Sequence, residues 1–186
     1  MIAVFIAVWA AWFLSEILLN RLFRSGGSDR KGMDRGSMRI IWITIGVANN
    51  TGILLAVLHY LPISRTIVLP CTGLALIVAG MIIRLVAVYS LGRFFTVDLT
   101  IREQHRIKKD GIYRFVRHPS YAGSLLSFLG FGLSLNDWIS IPVIFIPVLL
   151  AFLYRISIEE KLMVQQFGQE YIDYTGKTYL LVPLIY

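Results

Sequence analysis

Five long apolar stretches leave this chain few ways to fold. They run over 2–20, 40–61, 67–91, 119–135 and 138–154. A helix needs roughly 17–25 residues to cross the hydrocarbon core of a bilayer, where backbone polar groups must be satisfied within the helix itself. The pattern therefore predicts an all-α integral membrane protein with five transmembrane helices. The composition agrees, since only 16% of residues are charged, where a soluble domain carries about 25%. Only Asn136 and Asp137 separate the last two stretches, which predicts a tight antiparallel helical hairpin. Pro142 and Pro147 are expected to distort its second helix, which neighbouring helices tolerate.

The first stretch has no positive residue before it; the first one is Arg21, after the run. A signal peptide has the opposite arrangement, so an uncleaved first span is expected. Lysine and arginine then set the orientation. Six lie between Arg21 and Arg39, eight between Arg84 and Arg117, and Arg155, Lys161 and Lys177 follow the fifth stretch. Five spans put 17 of the 18 on one side, with Arg65 the exception. That predicts an external N-terminus and a cytoplasmic C-terminus. The net charge of +7 reads as loops facing anionic headgroups, not as a nucleic-acid footprint. The single cysteine, Cys71, excludes an intrachain disulfide and a cysteine metal cluster.

Residues 1–90, with three spans, read as a transmembrane scaffold. Asn49 and Asn50 lie mid-span and suggest interhelical hydrogen bonds, with a ligand role as the alternative, and Glu16 suggests snorkelling or a pair with Arg84 or Arg21. Polar density rises in 91–186. Residues 92–118 carry ten charged residues and two histidines among apolar and aromatic side chains. A connection of that length and composition is expected to pack on the helix ends.

Three constellations there can carry chemistry. The first is 110–123, where Gly111 permits a tight turn and Pro119 suits the first turn of a helix. His118 then stands at the boundary between water and membrane, as a helix cap or as a ligand-binding group. The second is 155–160, where Arg155 and Glu159, four apart, share a helix face and Glu160 points to the next sector. Snorkelling and solvation are one reading of these charges, and function the other. The third is 167–174, whose aromatic residues suit an interfacial helix. No histidine set with metal-ligand spacing, Walker loop or nucleophile elbow is present.

Taken in order, Leu91 to Thr96, His105-Arg106-Ile107, Gly111-Ile112-Tyr113, Arg117 to Tyr121, Glu159-Glu160 and Phe167 to Tyr174 resemble isoprenylcysteine carboxyl methyltransferase. Phospholipid N-methyltransferases share the His-Pro-x-Tyr and Glu-Glu parts. The resemblance spans roughly residues 90–183 and makes 91–186 the catalytic core. It implies S-adenosyl-L-methionine as cofactor, in a cytoplasmic pocket formed by the C-terminal half. His105, Ile107, Gly111, Tyr113, His118, Tyr121, Glu159 and Glu160 would bind it, and Arg155, Glu160 and Arg117 would serve catalysis. The expected partner is a lipophilic or lipidated acceptor entering from the bilayer among membrane lipids, most simply a prenylcysteine-type carboxylate. A lipophilic amine is the alternative, followed by a lipid reductase or a non-catalytic scaffold. Two departures bear on the acceptor. Ile107-Lys108 stands where the family often has two apolar residues. Tyr179, Leu180 and Leu181 precede Val182 and Pro183, where bacterial relatives often carry an arginine.

Overall fold

The structure is a computed structural model that describes residues 2–22, 36–58, 61–92 and 107–183. His105 and His59 lie outside the described residues. The described chain is helical: α1 (Ile2–Leu22), α2 (Ser37–Leu58), α3 (Val68–Leu91), a 3-10 turn (Gly111–Arg114), α4 (Pro119–Ser134), α5 (Ser140–Phe167) and α6 (Gln169–Thr175). Four of these, α1, α2, α3 and α5, are long and apolar enough to cross a membrane. The protein is thus an all-helical membrane protein. The fourth predicted span forms a helix of 16 residues, about 24 Å at 1.5 Å per residue and short of a roughly 30 Å hydrocarbon core.

α5 has 28 residues, about 42 Å, and outruns that core. Its apolar part ends near Tyr154, and the same helix carries Arg155, Glu159 and Glu160 onward. Pro142 sits in its first turn, where no N–H is required, while Pro147 lies inside it.

α3 and α4 are the most extensively packed pair, and α2 packs along α5. The α3–α4 seam is made by glycine. A Cβ on Gly130 would lie 2.5 Å from the Gly73 carbonyl oxygen, and one on Gly123 2.7 Å from that of Gly80. Both glycine pairs are spaced by seven, so they stay on one face, and backbone meets backbone there. α1 rides over this pair. Trp12, 1% exposed, sets its ring 4.9 Å from Phe128 and 5.5 Å from Phe131.

The predicted α4–α5 hairpin is present and does more than reverse the chain. Asn136 takes a positive φ of 53°, which asparagine tolerates better than most residues. Its amide group bonds Ser64 in both directions. The buried Asp137 carboxylate accepts from the Leu61, Ile139 and Ser140 N–H groups, capping α5 and tying the α2–α3 connection to the turn. The asparagines of α2 differ from expectation. Asn50 is exposed and donates to the Gly46 carbonyl of its own helix. Asn49 is buried and has no hydrogen-bond partner among the described residues.

Candidate functional site

The polar residues of the second half converge at one end of the bundle, and the local chain explains how. Gly111 takes φ +59°, a conformation side chains resist, and opens the short turn that presents Tyr113. Pro119 starts α4. The C-terminal strip runs beside 115–118: Tyr179 N donates to the Phe115 carbonyl at 2.9 Å, Arg117 N to that of Tyr179 at 2.8 Å and His118 N to that of Leu180 at 3.1 Å. His118 therefore has a fixed backbone, and its side chain makes no capping bond. The capping reading fails, and the ring turns instead to the glutamates.

Glu160 is the centre. Its Oε1 lies 2.7 Å from His118 Nε2, 2.6 Å from the Tyr171 hydroxyl and 3.3 Å from Arg117 Nε. Arg117 also donates to the Thr175 and Thr178 carbonyls, which locks its planar fork. Burial and the neighbouring Glu160 charge raise the Tyr171 phenol well above its ordinary value, so it stays a donor. Glu159 lies beside this group, with Oε2 4.0 Å from His118 Nδ1 and receiving the Tyr121 hydroxyl at 3.0 Å. Tyr121 in turn accepts from Arg155 Nε at 2.9 Å, and Arg155 Nη1 donates to the buried Ser37 hydroxyl at 2.7 Å. The shared face of Arg155 and Glu159 is thus real, with a tyrosine hydroxyl set between them.

The structure brings together Arg117, His118, Tyr121, Arg155, Glu159 and Glu160. Tyr113 is buried, donates to the Ala87 carbonyl at 3.2 Å and accepts Tyr174's hydroxyl on its own carbonyl at 2.6 Å. Burial first, then the Glu159 charge, raise the Tyr113 phenol above its ordinary value. Burial, opposed by Arg117, raises that of Tyr174 to about 12. Gly111 shapes the turn, and half-buried Ile107 makes no polar side-chain contact. Tyr171 and Ser37 escaped the sequence reading as members of the site. Tyr171 stands 11 residues after Glu160, across the α5–α6 break, where Gly168 at φ +55° was the available signal. Ser37 lies 118 residues from Arg155 and gives no local signal. Among the described residues no cluster of three or more His, Cys, Asp or Glu suits a metal ion.

The molecule is thus a helical membrane bundle with paired carboxylates, a histidine and two ordered arginines gathered at one end. The chain belongs to the phospholipid methyltransferase family, whose model matches residues 68–170. It is similar to protein-S-isoprenylcysteine O-methyltransferase B of Arabidopsis thaliana, 36% identical over 115 residues that cover 61% of this chain and 58% of that protein. The protein-S-isoprenylcysteine O-methyltransferase of Saccharomyces cerevisiae is 36% identical over 120 residues, covering 62% of this chain and 50% of that one. A solved structure of the eukaryotic intramembrane Ras methyltransferase, an isoprenylcysteine carboxyl methyltransferase, aligns with a TM-score of 0.56 at 25% identity, over 80% of this chain and 51% of its own. The chain spans less than two thirds of the length of each. The family resemblance seen in the motifs is borne out, and the family match begins in α3, ahead of the first motif.

Proposed function

We propose that the protein transfers a methyl group from S-adenosyl-L-methionine to a lipophilic acceptor carboxylate of the prenylcysteine type. The observation that carries this is the paired carboxylates at the bundle end. Glu159 Oε1 and Glu160 Oε2 accept no hydrogen bond from a described residue, while their other oxygens are held by protein donors. Two oriented anionic oxygens, each on a partly exposed side chain, fit the amino and sulfonium cations of the cofactor. When bound, the cofactor supplies an electrophilic methyl group on sulfur. The protein's part is alignment and exclusion of water. His118, Tyr171 and Arg117 fix the rotamer of Glu160, and Tyr121 fixes that of Glu159. Arg155 is 1% exposed and spends Nε and Nη1 on Tyr121 and Ser37, so in this reading it orients Tyr121 and, through it, Glu159.

The acceptor class follows from basicity. A carboxylate is ionised at neutral pH and needs no base, whereas an amine must first lose a proton. Glu160, which already accepts from three groups on one oxygen, is a poor proton acceptor. That favours the carboxylate, although the family's own name keeps a phospholipid amine as the second reading.

Calorimetry on the detergent-solubilised protein tests the proposal. It should bind S-adenosyl-L-methionine and not NADPH. Glu160→Gln should weaken binding at least tenfold, about 1.4 kcal/mol, with the melting transition retained. Equal affinity of the variant and the parent would remove Glu160 from the site. Methylation of a farnesylcysteine analogue, with phosphatidylethanolamine as the comparison, decides the acceptor.

We also propose that α4, though short, crosses with the other four, giving an external N-terminus and a cytoplasmic site. The lysine and arginine distribution supports this. Reporter fusions after Leu61 and after Tyr186 should then report opposite sides of the membrane. The same side for both would refute the five-span count.

A further inference from the structure

α1 lies outside the family match, which begins at residue 68. Yet one face of α1 is committed to the helices that carry the site. Trp9, Trp12 and Glu16 follow one another at helical spacing and point the same way. Trp9 Nε1 donates to the Ser134 hydroxyl at 3.1 Å, at the far end of α4. Trp12 packs between Phe128 and Phe131. Glu16 reaches the near end, where its Oε1 lies 2.8 Å from Arg84 Nε of α3. Arg84 passes the contact on. Its Nη1 donates to the Ser120 carbonyl at 3.3 Å and to the Ser120 hydroxyl at 3.0 Å.

Ser120 is the second residue of α4, between His118, which holds Glu160, and Tyr121, which holds Glu159. The first turn of a helix has no intrahelical acceptors for its N–H groups, so its position is set by outside contacts. Here those contacts are the C-terminal strip on one side and Arg84 on the other. Both partners of the pair are mostly withdrawn from solvent, with side chains 15% and 17% exposed. In such surroundings loss of one partner leaves the other charge uncompensated. Without Glu16 the guanidinium keeps its bonds to Ser120 but loses the carboxylate that balances its charge.

We propose that Glu16 is a positioning residue for the methyl-transfer site, acting through Arg84 on the first turn of α4. The inference rests on the methyltransferase reading above. It also redraws the division of the chain, because α1 and α3 then belong to the working unit as much as to the scaffold.

Two readouts on Glu16→Gln, Glu16→Asp and the surface control Glu170→Gln test this. Glu170 pairs with Lys109 at 2.6 Å and is 60% exposed. The first readout is hydrogen exchange in detergent, which needs no activity. In Glu16→Gln, the amides of Ala122 and Gly123, at the start of the α4 ladder, should exchange at least fivefold faster, while those of α5 stay unchanged. The second is turnover on farnesylcysteine analogue. The kcat should fall at least fivefold, with S-adenosyl-L-methionine affinity within twofold. Glu16→Asp should recover at least half of both losses, and Glu170→Gln should behave as the parent. Unchanged exchange in Glu16→Gln overturns the link to α4. Faster exchange with unchanged kcat overturns the role in the reaction. A parent protein that methylates no acceptor sinks the methyltransferase reading, while the exchange data still decide the mechanical link.

Discussion

Gly130→Val is expected to destabilise the solubilised protein by about 3 kcal/mol or more, at the top of the usual range for overpacking. The reason is the identity of the obstacle. A Cβ at Gly130 meets the Gly73 carbonyl oxygen at 2.5 Å and the Ile77 nitrogen at 2.8 Å. These are backbone atoms of α3, which no side-chain rotation can clear, so the two helices must part. Separation would then break the Ser127 hydroxyl bond to the Ile77 carbonyl and displace Arg84 from Ser120. Gly46→Ala is the matched comparison, since nothing lies within 4 Å of the Cβ it would add. It should be neutral or stabilising by up to about 1 kcal/mol from helix propensity alone. Thermal unfolding of both variants in one detergent checks the pair. Similar transitions for the two would mean that the α3–α4 seam is looser than described.

Arg155→Lys is expected to lower turnover at least tenfold, about 1.4 kcal/mol of transition-state stabilisation. A snorkelling arginine needs only a long stem and a positive head, and lysine supplies both. The environment of Arg155 asks for more. Its Nε bonds Tyr121 while Nη1 bonds Ser37, two directions that the guanidinium plane fixes and a single ammonium cannot reproduce. Tyr121 would lose its donor and with it the orientation of Glu159. Binding of S-adenosyl-L-methionine should weaken by no more than about threefold, or 0.7 kcal/mol, because Glu160 keeps its own donors. Parent-like turnover of Arg155→Lys on every accepted substrate would return the residue to the membrane-anchor role.

What the sequence disclosed follows from how each signal arises. Hydropathy reports where a helix meets hydrocarbon, so α1, α2 and α3 were found within a few residues of their ends. It is blind to a helix that continues into water, which is why the region of Arg155 to Glu160 read as lying beyond a span when it is the same α5. His118, Arg117, Glu159 and Glu160 were legible because motif and spacing mark them locally. The role of Ser37 was not, since its partner lies 118 residues away and only packing brings them together, whereas the charge of Glu16 within a span already pointed to its pair with Arg84. Asn49 and Asn50 show the opposite failure. Polarity in mid-span announced interhelical bonds, but adjacent residues point about 100° apart on a helix, and Asn50 turned back on its own backbone.

The clamp between the α2–α3 connection and the α4–α5 turn bears on how the chain comes to be made. Its bonds join residues 72 to 76 positions apart, and Asp137 needs the N–H groups of Ile139 and Ser140 as well as that of Leu61. A ribosome that has delivered α2 and α3 has not yet supplied the other half of this fastening. The early helices must therefore persist in the bilayer without it, relying on their own backbone hydrogen bonds, and closure waits for the start of α5 to emerge. Chains stalled before residue 137 should lack the join altogether, leaving the Leu61 end of the α2–α3 connection to water or to the translocation machinery until synthesis resumes.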